Sequence, residues 1–339
     1  GMNTAVRVAV RVGMDMGHTV LGVRRGFRGL SRGDVEEMDW MSVSSWVGRG
    51  GAELGTSRSV ADPEMLALVA AQIKAHRIDG ILMVGGWAGY RSAYELQVLA
   101  DVYPGLSVPI VCLPASINND LPASELSVGA DTALNSIVGD VDKIKQSAVA
   151  SRRTFVVEVM GRDSGYLALL SGLSTGAERV YLPEEGISLH DLEVDLDDLK
   201  DGFEHGKRLG LVIRSENADA VYTTEFIKAL FEREGEGLFD VRGAILGHVQ
   251  QGGDPSPFDR IQATRLAAES IEHLIVQAME DDPTDSMVGL QHGKIVFTPL
   301  TSFPDLVDPD EKQRPRDEAW MALRPVARVM AGSTGTVDR

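Results

Sequence analysis

Met83-Val-Gly-Gly-Trp-Ala-Gly-Tyr-Arg-Ser-Ala93, MVGGWAGYRSA, is the stretch on which the reading of this chain turns. Gly80-Ile-Leu-Met83 at its front reads as a buried parallel strand, and residues 90–102 behind it repeat apolar side chains at helical spacing. A strand that feeds a helix through a diglycine brings phosphate close to bare backbone amides and to a helix N-terminus. Trp87 stands directly after the two glycines, where such a turn wants an acid or a small residue.

The same alternation runs through most of the chain. Strands are predicted over 19–23, 80–84, 109–113, 154–159, 179–182, 210–213 and 243–246. Helices are predicted over 4–16, 63–76, 88–102, 131–150, 165–173, 191–206, 223–234 and 257–280. The helix at 63 is the best marked, with Asp62 as its N-cap, Pro63 in the first turn and Glu64 behind it. Short β-branched runs between longer amphipathic ones imply α/β architecture with mostly parallel sheets covered by helices on both faces. There are too many strands for one sheet, so two α/β lobes are expected, with ligands at the carboxyl ends of the strands.

The chain has 339 residues, of which 43% are hydrophobic and 24% charged, enough for one large or two medium cores. Its net charge of -17 repels nucleic acid and anionic membrane surfaces, so neither is an expected partner. A small phosphorylated ligand is compatible with that field, because a few local arginines can hold it. No apolar run approaches the roughly 20 residues of a membrane span, and no signal-peptide pattern opens the chain, so a soluble cytoplasmic protein is expected. The one cysteine, Cys112, lies in an apolar run, which excludes internal disulfides and cysteine-based zinc sites. Gly1-Met-Asn3 enters a helix without the hydrophobic strand and glycine-rich turn that a βα unit places before it. The expectation is a fragment of a longer polypeptide; a tag-derived Gly1 is the other reading. The segment 332–339 is expected to be a disordered tail.

Five stretches, GMNTAVRVAVR, GRGGAELGTSR, PASINNDLPASELSVGADTALN, FVVEVMGRDSGYLAL and ILGHVQQGGDPSPFDR, resemble the 6-phosphofructokinase superfamily in order and spacing from residue 1 to about 330. The resemblance implies the phosphofructokinase fold, two three-layer α/β/α lobes with mostly parallel sheets. It places a degenerate nucleotide-type lobe at 1–129 with 249–299, and a sugar-phosphate lobe at 130–248 with 300–331. It further implies transfer of the terminal phosphoryl of ATP to fructose 6-phosphate, in an oligomer whose subunits share arginines. Such a transfer needs a metal on the phosphates, donors for the spreading charge and a carboxylate that accepts the hydroxyl proton.

Against these requirements the nucleotide side departs from the family. Its catalytic form continues the diglycine with an aspartate that serves Mg²⁺, whereas Gly85 and Gly86 here lead to Trp87, Ala88 and Gly89. An indole cannot ligate a hard cation, and Trp87 is expected as an apolar plug in a disused pocket. At the position of the family's aspartate base the chain has Asn118, an amide that takes no proton near neutral pH; loss of a general base lowers rate by about 10² to 10⁴. Asp120 lies two residues on, and an extended segment would turn it to the same side as Asn118. It reads either as a substitute base or as a turn residue before Leu121-Pro122. The family's loop arginine after Arg58 is missing as well. No intact catalytic residue and no metal or cofactor site is therefore expected here, and ATP and Mg²⁺ are expected in a separate catalytic half.

The sugar side keeps its pattern. By resemblance Arg153, Met160, Gly161, Arg162, Glu216, Arg242 and His248 hold a sugar phosphate, with Arg153 of the kind that crosses a subunit interface. Taken singly, Arg153 also reads as a helix-end surface cation and His248 as a satisfied core histidine. Gln251 replaces an arginine frequent in catalytic members. Arg11, Arg49, Lys145, Glu178 and Lys207 fall near a second effector site of the bacterial family, although Asp15 and His205 stand where cations belong; surface salt bridging is the competing role. The pattern is most like the regulatory, C-terminal half of a fused, duplicated phosphofructokinase, binding fructose 2,6-bisphosphate or a related phosphosugar. Its partners would be the catalytic half of the same polypeptide and further copies of the chain. A working kinase that uses Asp120, on ATP or pyrophosphate, and a purely structural oligomerisation module are the rival readings.

Overall fold

The computed structural model describes residues 1–148, 152–308 and 314–331. The expected tail at 332–339 and the last two residues of the helix predicted at 131–150 lie outside them. In chain order the elements are α1 (Met2–Asp15), β1 (Val20–Val23), α2 (Gly26–Leu30), β2 (Val35–Met38), α3 (Pro63–His76), β3 (Ile81–Gly85), α4 (Trp87–Val98) and β4 (Ile110–Pro114). They continue with α5 (Ala130–Ala148), β5 (Arg153–Val159), α6 (Tyr166–Thr175), β6 (Arg179–Tyr181), α7 (Leu189–Glu204), β7 (Leu209–Ser215), α8 (Thr224–Glu234) and β8 (Asp240–Ile245). The last are α9 (Pro257–Gln277), β9 (Ser286–Gln291), β10 (Lys294–Pro299), α10 (Phe303–Leu306) and α11 (Arg324–Ala331).

The chain divides into two compact units. The first comprises Gly1–Ser116, Leu121–Thr132 and Gly253–Asp317; the second comprises Ile117–Asp120, Ala133–Gly252 and Glu318–Arg339. The segment 300–317, assigned from sequence to the sugar-phosphate lobe, clusters instead with the first unit, because Leu300 and Phe303 bury themselves in its core.

In the first unit the sheet order is β10-β9-β4-β3, with β3, β4 and β9 mutually parallel and β10 antiparallel. Its central strand divides its side chains by parity, as a strand buried on both faces must. Ile110 and Cys112 join a core with α3 and α4, whereas Val111 and Leu113 join one with α1 and α9. The hairpin β9–β10 was not anticipated. Its turn is the dipeptide His292-Gly293, both at positive φ (50° and 77°), which matches the two-residue turn that suits the twist of paired strands. The strand expected at 19–23 also behaves differently: β1 pairs antiparallel with the unforeseen β2 in a separate ribbon, where Val35-Glu-Glu-Met38 was too short and too acidic to read as a strand.

The second unit holds the parallel sheet β6-β7-β5-β8. Val156, Val212 and Val241 pack on one face against α7 and α8, while α6 covers β6 and β7. β5 is paired on both sides, from Arg153↔Leu209 to Val159↔Ser215 and from Arg153↔Asp240 to Glu158↔Ile245. That register fixes which side chains meet at each end of the sheet.

Candidate functional site

Where β5 runs out, its backbone turns through Met160, Gly161 and Arg162. Gly161 is required sterically: a Cβ there would lie 2.2 Å from the Ser164 carbonyl oxygen and 2.8 Å from Ser215 Oγ. Arg162 takes a left-handed backbone conformation (φ 55°), a strain that persists only when the surroundings hold it. They do so through side chains from neighbouring strand ends. The Gly161 and Arg162 amides donate to Glu216 Oε1 at 3.3 and 2.8 Å, and the Met160 amide donates to Gln250 Oε1 at 3.0 Å. Gln250 is 1% exposed and in turn donates to the Gly247 carbonyl at 2.8 Å. Gln251 Nε2 lies 3.5 Å from Met160 Sδ, and exposed His248 sits on the same short turn, Gly247–Gln251.

Met160, Gly161, Arg162, Glu216 and His248 thus gather at the carboxyl ends of β5, β7 and β8. Arg153 and Arg242 do not join them. They lie near the amino ends of the same strands, where both guanidinium groups approach Asp240, at 3.7 and 3.6 Å. Seven residues of strand at about 3.3 Å each separate the two groups by roughly 20 Å. The seven residues named from the resemblance therefore form two groups within one chain, with Arg153, expected at a subunit interface, and Arg242 in the group away from Met160. The register of β5 makes this unavoidable, because Arg153 begins the strand and Met160 follows its last residue.

The diglycine turn in the first unit is built on the same plan and filled differently. Gly86 caps α4 with an extended backbone (φ -103°, ψ -157°), and the Ala115 amide donates to the Gly85 carbonyl at 3.0 Å. Met83 folds its thioether over the glycines, so that a Cβ on Gly89 would stand 2.4 Å from its sulfur. Trp87, 7% exposed, packs in the core with its ring 5.7 Å from that of Phe303, and its indole N–H is buried without a partner among the described residues. The side chain that meets Gly85 and Gly89 is the Met83 thioether, which offers a hard cation no oxygen ligand. Among the described residues no three of His, Cys, Asp and Glu are grouped to hold a metal.

Asn118 Nδ2 donates to Asp120 Oδ2 at 3.2 Å, and Asp120 is 1% exposed. The residue read as a substitute base is therefore buried and engaged by the amide at the base position. The candidate second effector set is also engaged with neighbours. In the first unit Arg11 stacks over Trp40 at 4.3 Å and Arg49 pairs with Glu53 at 2.9 Å. In the second, Lys145 donates to the Thr175 carbonyl, and Lys207 pairs with Glu178 at 2.8 Å while Glu178 accepts from the Leu211 amide. Gln250, Glu158 and Arg214 escaped the reading of the sequence. Their signal was a polar residue inside or just beyond an apolar strand run.

The phosphofructokinase family model matches residues 1–274. ATP-dependent 6-phosphofructokinase 1 of Caenorhabditis elegans is 41% identical over 350 residues, spanning all of this chain and 43% of that protein. The human platelet-type enzyme is 38% identical over 348 residues, with 100% of this chain and 44% of that protein covered. The phosphofructokinase structure from Saccharomyces cerevisiae superposes with a TM-score of 0.94 at 35% identity, over 98% of this chain and 45% of that one. The chain thus spans less than half the length of these relatives, and it belongs to the phosphofructokinase family.

Proposed function

We propose that the chain is one half of a fused ATP-dependent 6-phosphofructokinase, and that this half binds a phosphosugar and regulates its partner half rather than transferring phosphoryl itself. The observation that carries the reading is the contrast between two strand ends. After the diglycine Trp87 packs into the core and the Met83 thioether crowds Gly85 and Gly89, while Glu216, Arg162 and His248 cluster at the end of β5, where Glu216 holds the Gly161 and Arg162 amides. Amides and a carboxylate suit sugar hydroxyls, and guanidinium and imidazole suit phosphate.

Arg153 and Arg242 stand too far from that cluster to serve it within one chain, which favours their use on a phosphate held by a neighbouring copy or by the partner half. A sugar bisphosphate such as fructose 2,6-bisphosphate is the ligand class assigned to this half. Its binding would favour the active arrangement of the catalytic half by differential affinity, and that half would supply ATP and Mg²⁺. No described helix is long and apolar enough to cross a membrane. We place the protein in the cytoplasm, as an oligomer.

The test is calorimetric titration of the chain with fructose 2,6-bisphosphate, as wild type and as Arg242→Ala. A loss of about tenfold or more in the variant is expected, as for a guanidinium removed from a phosphate. Equal affinities would overturn the assignment of that residue, and turnover of fructose 6-phosphate by this chain, abolished by Asp120→Ala, would overturn the regulatory reading.

A further inference from the structure

Arg214 lies in the run Leu209-Gly-Leu-Val-Ile-Arg-Ser215, which is otherwise apolar apart from its last residue, and is 1% exposed. A guanidinium stripped of water at such a place must have its donors met by protein. They are met by one segment. Nε donates to the Tyr222 carbonyl at 3.1 Å, Nη1 to those of Ser215 and Glu216 at 3.1 and 3.0 Å, and Nη2 to that of Asp219. Nη1 also reaches Glu158 Oε2 on β5 at 3.1 Å, and the same oxygen accepts the Thr224 hydroxyl at the start of α8. Asp219 completes the tie by accepting the Val221 and Tyr222 amides at 2.7 and 2.8 Å.

Residues 215–222 are therefore gathered on one buried cation. Glu216 is the residue that this segment presents to the amides of Gly161 and Arg162. A carboxylate on a connecting loop would otherwise sample many rotamers, and holding it in place before ligand arrives lowers the entropy lost on binding. We infer that Arg214 is a positioning residue, which fixes Glu216 at the end of β5 by holding the carbonyls of Ser215, Glu216, Asp219 and Tyr222 together with Glu158. The inference rests on the phosphosugar reading of that strand end.

The test is a double-mutant cycle read in ligand affinity, with fructose 1,6-bisphosphate and inorganic phosphate as probes of the full chain. Arg214→Lys, Glu216→Gln and the double variant are compared with wild type. Arg214→Lys is expected to weaken fructose 1,6-bisphosphate about tenfold, to change phosphate affinity less than about twofold, and to add little in the Glu216→Gln background. A purely structural arginine would lower the unfolding midpoint without such coupling. The isosteric Glu158→Gln acts on the same clamp from β5 and is expected to repeat the pattern, which keeps the test decisive if Arg214→Lys folds poorly. The inference is overturned if Glu216→Gln weakens the sugar but neither clamp variant does, or if each variant loses the same factor with and without Glu216. Absence of binding of both fructose 1,6-bisphosphate and fructose 2,6-bisphosphate by the wild type would overturn the phosphosugar reading and this inference with it.

Discussion

Two turns in this molecule begin alike, each at the carboxyl end of a parallel strand and each passing through glycine toward a helix. After β3 the glycines are crowded by Met83 while Trp87 packs into the core against Phe303; after β5 the amides of Gly161 and Arg162 are held by a carboxylate. The two turns share a backbone plan and differ in the side chain that meets it, a thioether after β3 and a carboxylate after β5. The difference also appears in how tightly each glycine is constrained. A side chain at Gly161 would strike backbone, whereas one at Gly89 would strike the movable end of a methionine.

The most damaging way to break the contrast is to empty the filled turn. Trp87→Ala removes a buried indole from a close-packed core and is expected to lower stability by about 3–5 kcal/mol, read from denaturant unfolding. It is not expected to create ATP binding, because no ligand for the metal is gained. A variant that bound ATP and Mg²⁺ would erase the distinction between the turns. Gly161→Ala comes next, with an expected loss of about 1–3 kcal/mol from overpacking against backbone, accompanied by loss of phosphosugar affinity. Gly89→Ala serves as its control and is expected to stay under about 1 kcal/mol, since the Met83 thioether can swing aside.

Charge management offers a finer comparison. In the second unit the strand carboxylate Glu158 meets Arg214, whereas in the first Asp285 accepts the Ile110 amide at 2.7 Å and burial pushes its carboxyl up to about 6. The fold therefore favours protonated Asp285. Its contribution is complete below the unfolded value near 4 and is lost as pH rises through about 6, on the order of 2–3 kcal/mol in all. Asp285→Asn retains an acceptor for the amide, and is expected to flatten that part of the stability profile between pH 4 and 7. If wild type and Asp285→Asn show parallel profiles, Asp285 does not titrate with folding.

Local signals decided which elements were legible. α3 was read to the residue because its start is written in Asp62-Pro63, and Asp62 does accept the Met65 amide at 2.8 Å. β8 was read from 243 although it begins at Asp240, because exposed Asp240 and Arg242 break the apolar run that betrays a strand. The candidate sugar-side residues came from motif resemblance. Their division between two ends of one sheet could not, because strand register and length are properties of the pairing rather than of any motif. Arg214 stayed hidden for a related reason: a charged residue in a strand reads as an exposed position until the carbonyls around it are seen.

Trp87 and Met83 share one core, so neither is exchanged without disturbing the other's surroundings. Replacing the indole alone with an acid would set an anion against Phe303 and a thioether in a half-empty hole, and replacing the methionine alone would leave the indole in the way. Either single step costs stability, so on the proposed reading a return to triphosphate binding at this turn needs both changes at once.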